Sequence, residues 1–201
     1  STAKSPSPES QRAAWPELPP PADWQDTLET LHMWSQIVGK IRLEQGPWIN
    51  HSWGAALYVT TRGLTTSPIP YGTRTFAIDF DFLEHALQIR TSTGERRSIA
   101  LPSLSVAEFY RRTMGVLDEL GLEVDIMSRP VEVPDPIQPF PEDEAHASYD
   151  AEAVRRFWEA LVQVDRVFKA FRARFTGKGS PVHFFWGAFD LAVTRFSGDD
   201  A

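Results

Sequence analysis

The chain has 201 residues, 42% of them hydrophobic and 12% aromatic, which is enough for one domain with a substantial core or two small ones. Its formal charge of −7, from 20 Lys and Arg against 27 Asp and Glu, argues against a duplex nucleic-acid binder, whose affinity rests on neutralising phosphates. Cysteine is absent, which excludes a disulfide scaffold, a thiol nucleophile and a Cys-ligated zinc site.

The Ser/Pro-rich residues 1–22 read as a disordered tail that becomes extended near Pro21. They lack the apolar run of a secretory signal, and no stretch reaches the roughly 20 apolar residues of a membrane span. The expectation is therefore a cytoplasmic protein with no membrane partner and no nucleic-acid partner.

Residues 23–132 read as a first α+β lobe. Asp23 is placed to cap a helix whose buried stripe is Trp24, Leu28, Leu31, Trp34, Val38 and Ile41. "ALYVTTRG", "TFAIDFDF", "ALQIRTS" and "RRSIAL" then predict four strands in an antiparallel meander. In the second of these, Phe76, Ile78, Phe80 and Phe82 share one face, opposite Asp79 and Asp81. His85 falls in a turn and should be exposed. Ser105 and Glu108 form a capping box, flanked by Leu104 and Phe109 as a hydrophobic staple, and Gly121 supplies a left-handed stop.

Residues 133–149 are a Pro-rich connecting loop whose four prolines and charged patch exclude regular structure. Residues 150–201 read as a second helix–loop–strand lobe packing on the first. Asp150 caps a helix reaching about Phe175, with Val154, Trp158, Leu161, Phe168, Phe171 and Phe175 as its stripe. Asp165 interrupts that stripe, and Lys169 at i+4, or Arg172 one turn further on, is placed to neutralise it. The fold class is thus α+β, an antiparallel meander packed against two long helices.

"HSWGAALYVTTR" (residues 51–62) and "HFFWGAFDLAVTR" (183–195) both read W-G-A followed at fixed spacing by Thr-Arg. Each follows a helix and a Gly-Lys pair, Gly39-Lys40 and Gly177-Lys178. The echo reads as a duplicated helix–loop–strand unit.

Familiar catalytic signatures are missing: there is no dinucleotide fingerprint, P-loop, G-x-S-x-G elbow or H-E-x-x-H. "LHMWSQIVGKIRL", "LYVTTRGLTTSPIPYG", "FDFLEHAL", "HASYD" and "GKGSPVHFFWGAFDLAVTRFSG" resemble a family of bacterial proteins of unknown function, over roughly Trp15 to Gly198. The resemblance brings no activity with it. It implies a cysteine in many members where this chain has Gly179, and a continuation beyond residue 201 that would pair with the last strand.

The recurring residues make the W-G-A junction the leading site for a small-molecule ligand, with an enzymatic role. His51, His183 and Asp190 are its catalytic candidates. Trp53 and Trp186 would form walls, and Arg62 and Arg195 would suit an anionic ligand, unless they pair with acids such as Asp81. His32, His146 and Tyr149 are further binding candidates. His51, His183 and Asp190 are also one option for a metal, although the spacing demands none, so metal and cofactor stay unassigned. The alternative is a non-catalytic assembly module whose aromatics form core and the interface of a homodimer.

Overall fold

Helix α1 (Pro21–Gln45) is the centre of the computed structural model, which describes residues 10, 14–47, 49, 52–135 and 137–197. The fate of the tail before residue 14, Ser10 apart, lies outside them. Spacing predicts one buried stripe on α1, but every residue from Met33 to Arg42 is buried. A helix enclosed on all sides needs neighbours on all sides. The expected Asp23 cap is also replaced: Pro20 stands at the N-cap with no side-chain hydrogen bond, and proline in the first turn forfeits an amide that the helix does not use. Trp24 (φ −135°, ψ 17°) leaves helical geometry and kinks this turn.

The main sheet has six strands: β1 (Tyr58–Val59), β2 (Gly63–Thr65), β3 (Ile69–Tyr71), β4 (Arg74–Asp81), β5 (Ala86–Thr91) and β6 (Arg96–Ala100). All pairings are antiparallel, in the order β1-β2-β4-β5-β6, with β3 also paired to β4. The predicted apolar face of β4 is buried throughout, so α+β with an antiparallel meander describes the fold. The edge differs from expectation, because "ALYVTTRG" is a hairpin and not one strand. Thr60 turns the chain, its N–H donating to the Gly63 carbonyl (2.8 Å), while its Oγ1 accepts from the amides of Arg62 and Gly63. Gly63 then runs so close to β4 that a Cβ would lie 1.9 Å from the Phe80 carbonyl oxygen.

β2 and β3 lie against the same strand, separated by a bulge at Thr66-Ser67-Pro68. There Thr66 Oγ1 accepts from the Ile78 amide at 3.0 Å, standing in for a missing backbone partner. Pro70 falls at the sheet edge, where its absent amide breaks no ladder.

Helix α2 (Val106–Glu119) starts as its sequence predicts: Ser105 accepts from the Glu108 amide, and Leu104 and Phe109 are buried together. It ends at Gly121, whose φ of +62° suits glycine. Helix α3 (Ala151–Ala173) is capped by Asp150, which accepts from the amides of Glu152 and Ala153. Lys169 Nζ lies 2.6 Å from the carboxylate of Asp165, as expected for a buried acid in the stripe. Beyond Leu161 the apolar stripe of α3 rises to the surface.

The Pro-rich loop carries one short element that sequence excludes, a 3-10 turn at Phe140–Glu142. Phe140 anchors it in the core, its ring 6.3 Å from that of Tyr110. Past it, the chain docks on two helices at once. The carbonyls of Asp143 and His146 accept from the first amides of α2 (Ala107 and Val106), and Thr27 and Thr30 of α1 bond residues Ser148 and Asp150.

The stretch from Pro181 to Arg195 reads as one strand but folds as a hairpin, β7 (His183–Phe185) and β8 (Asp190–Ala192). The W-G-A-F residues form its turn, with Phe189 at φ +57°. Trp53-Gly54-Ala55 also forms a turn, and one antiparallel bridge, Leu57 to Phe184, ties the hairpin to the segment ahead of β1. Trp186 seals the join. A Cβ on Gly39 would fall 2.1 Å from its indole, so only glycine lets it seat on α1. Gly39→Ala is therefore expected to lower unfolding free energy by about 2 kcal/mol through overpacking, read from urea denaturation midpoints.

Candidate functional site

Helical and turn geometry disperse the sequence candidates over several environments. His51 lies outside the described residues, so its relation to His183 is not part of the description. His183 is 1% exposed, its Nδ1 donating to the Pro181 carbonyl (2.8 Å) and its ring edge-on to Phe185. Asp190 opens β8 on the exposed side. Trp186 is buried and donates its Nε1–H to the Ala55 carbonyl at 2.8 Å, whereas Trp53 is half-buried against the Phe196 ring.

The two arginines are engaged in different ways. Arg62 Nε donates to Asp81 at 2.6 Å, and its Nη2 reaches Glu84 at 3.4 Å. Burial of Asp81 opposes its ionisation. The Arg62 hydrogen bond, the Glu84 and Leu83 amides and the Arg62 charge outweigh that cost and hold its pKa below the ordinary carboxylate value. Arg195 lies with its guanidinium carbon 3.4 Å from the Phe171 ring centre and 5.2 Å from that of Phe175, and donates to the Phe171 carbonyl.

His32 projects from α1 onto the W-G-A-F turn. Its Nε2 donates to the Gly187 carbonyl at 2.8 Å, its ring lies 5.0 Å from that of Phe189, and the Gln36 amide beside it bonds both backbone groups of Val131. Desolvation lowers the His32 pKa below 6.5, outweighing the Gly187 and Trp186 backbone hydrogen bonds and the Glu132 charge that raise it.

Tyr149 stacks on Trp34 at 5.4 Å, and burial raises the pKa of its phenol. Its hydroxyl meets Nδ1 of His85 at 2.9 Å. His85 is consequently half-buried, because the HASYD segment folds over the turn that sequence reads as open.

His146 faces a cleft, as does Arg62 on the sheet, where Asp81 and Glu84 already engage it. The His146 Nδ1 sits 2.7 Å from Oδ2 of Asp143, whose other oxygen accepts from the amides of Ala145 (3.2 Å) and His146 (3.1 Å). Asp143 is only 3% exposed, so its acceptor positions are fixed by the turn it closes. The His146 Nε2 lies 3.9 Å from the Glu29 carboxylate on α1. Together they border a cleft of about 530 Å³, whose polar lining is Asp26, Glu29, Thr30, Ser103, His146 and Ser148. Sequence reasoning found His146 but missed Asp143 and Glu29. The D-x-x-H spacing within a loop was the available signal for Asp143; Glu29 arrives only because α1 docks there.

The His32 environment has a measurable consequence. A lowered histidine pKa means that the unfolded chain takes up its proton first as pH falls, so the folded state loses stability below about pH 6.5. His32→Gln keeps the donor to Gly187 and cannot titrate. Thermal melts from pH 8 to pH 5 should show wild type losing stability relative to this variant on acidification; parallel curves refute the assignment.

No curated protein and no solved structure matches the chain. Among the described residues, no helix is long and apolar enough to cross a membrane. A family model matches residues 15–201, nearly the full length, and the chain accordingly belongs to the family of unknown function DUF5996.

Proposed function

We propose that the protein binds a small polar molecule in the cleft between α1 and the 143–150 loop, and that His146 acts there as an acid–base group. The observation that carries this reading is the 2.7 Å contact between His146 Nδ1 and the buried carboxylate of Asp143. A carboxylate in that position holds the proton on Nδ1 and the ring in one orientation, leaving Nε2 to exchange a proton with a bound molecule. Asp143 is then a positioning residue, and Glu29 a binding residue beside Nε2. The lining carries two carboxylates and neither Lys nor Arg, which favours a neutral or cationic ligand over the anion that Arg62 and Arg195 suggest. Both arginines being engaged elsewhere supports the same choice.

The test is a fragment titration followed by amide NMR, using a set of small amines, polyols and carboxylates. Amines or polyols should shift the amides of Ala145, Ala147 and Ser148, and Glu29→Gln should weaken amine binding at least tenfold, about 1.4 kcal/mol. Shifts confined to other parts of the molecule, or carboxylates binding best, overturn the proposal. His146→Gln should leave the melting temperature near wild type while abolishing any turnover found with a bound fragment.

A second reading, an assembly module, is favoured by one specific observation: Val167 and Phe171 on α3 are 45% and 46% exposed. Light scattering would show a concentration-dependent dimer that Phe171→Glu dissolves. A monomer at all concentrations removes this reading.

A further inference from the structure

Between the distal half of α3, β1 and the Pro181-Val182 approach to β7 lies another cavity, of about 400 Å³, that shares no residue with the His146 cleft. Its charged side chains, Asp165, Lys169 and Arg172, follow one another at i, i+4 and i+7 and so share one face of α3. Asp165 is buried and holds the Lys169 Nζ at 2.6 Å. Arg172 is fixed differently. Its Nε donates to the Ser180 carbonyl at 2.6 Å. Ser180 is itself fully buried, its N–H donating to the Thr194 carbonyl and its hydroxyl accepting from the Thr194 amide. Among the described residues neither Nη of Arg172 has an acceptor, and no carboxylate pairs with it. The reason lies in the sequence: Arg155 and Arg156 pair with Glu159 and Glu152 early in α3, but no acid follows Asp165 on the helix.

The rest of the lining is largely apolar. Val182 is buried, Val59 and Pro181 are half-buried, and the Tyr58 ring is held by the Arg42 guanidinium, 5.0 Å from its centre. We infer that this cavity binds a small monocarboxylate with an apolar body, the carboxylate taken by Arg172 and Lys169 and the body by Tyr58, Val59 and Val182. Charge selects the class. One acid against two bases leaves a single positive charge, which one carboxylate neutralises, in a chain whose net charge is −7. A guanidinium whose orientation is already set loses little freedom on binding, and its remaining N–H groups match the two oxygens of a carboxylate. Asp165 orients the Lys169 ammonium at the rim. The apolar lining adds affinity for a hydrocarbon body, which separates such a ligand from inorganic anions.

Benzoate is the probe, with benzamide and benzylamine as its neutral and cationic counterparts. Titrated into the full chain and followed by amide NMR, benzoate should shift Tyr58, Val59, Ala173 and Val182, and either control far less. Arg172→Gln should weaken benzoate binding about tenfold, through loss of the charge-assisted pair. Ala173→Trp changes no charge, fills the cavity from its exposed rim, and should abolish the shifts at Tyr58 and Val182. It decides the matter if Arg172→Gln melts well below wild type. No benzoate shifts at these amides, an equal response to benzamide, or unchanged benzoate affinity in either folded variant overturns the inference. The His146 cleft is read from the amides of Ala145, Ala147 and Ser148, so each site stands or fails without the other.

Discussion

The arrangement depends on one constraint, that α1 be enclosed around its whole circumference from Met33 to Arg42. A helix in that position cannot be covered by a single sheet face. The sheet covers part of it, α2 and α3 cover more, and the β7–β8 hairpin closes the rest through Trp186. Because that last contact needs the indole to lie directly on backbone, Gly39 is as much part of the closure as the tryptophan. Backbone polar groups freed at the join are also recovered there: Trp186 and Arg42 each donate to a carbonyl of the Ala55-Ala56 segment.

The same enclosure gives the 143–150 loop its order. The four prolines between residues 134 and 141 come just before it and the loop has no ladder of its own, so its polar groups are satisfied by its neighbours. Two of its carbonyls take the first amides of α2, and Thr27 and Thr30 of α1 hold its far end. Asp143 closes the turn between them and in doing so fixes His146. The cleft beside His146 is thus a by-product of how a proline-rich segment meets two helix ends, and its rigidity comes from those ends.

The two W-G-A segments show why sequence likeness predicts local shape better than shared chemistry. Both are turns, yet Trp186 is sealed in the core while Trp53 stays half-exposed beside Phe196. Arg62 and Arg195 occupy matching positions in the motif, but one meets carboxylates and the other meets aromatic rings. Surroundings, not motif position, decide what each side chain does.

Much was legible in the chain itself. The alternation Phe76, Ile78, Phe80, Phe82, the Ser105 capping box, the Gly121 stop, the Asp150 cap and the Asp165–Lys169 pair are all set by neighbours within a few residues, where period and spacing are decisive. Other features were settled by residues far apart in sequence. The hairpin hidden in "ALYVTTRG" follows from Gly63 abutting Phe80, and the burial of His85 follows from Tyr149, 64 positions away. The pairing of His146 with Asp143 was written in the loop, but Glu29 joins them only because α1 docks there. Sequence determined which residues form helices, caps and alternating faces, since those are local; the tertiary structure decided which polar groups share a cleft, because that depends on which distant backbones approach.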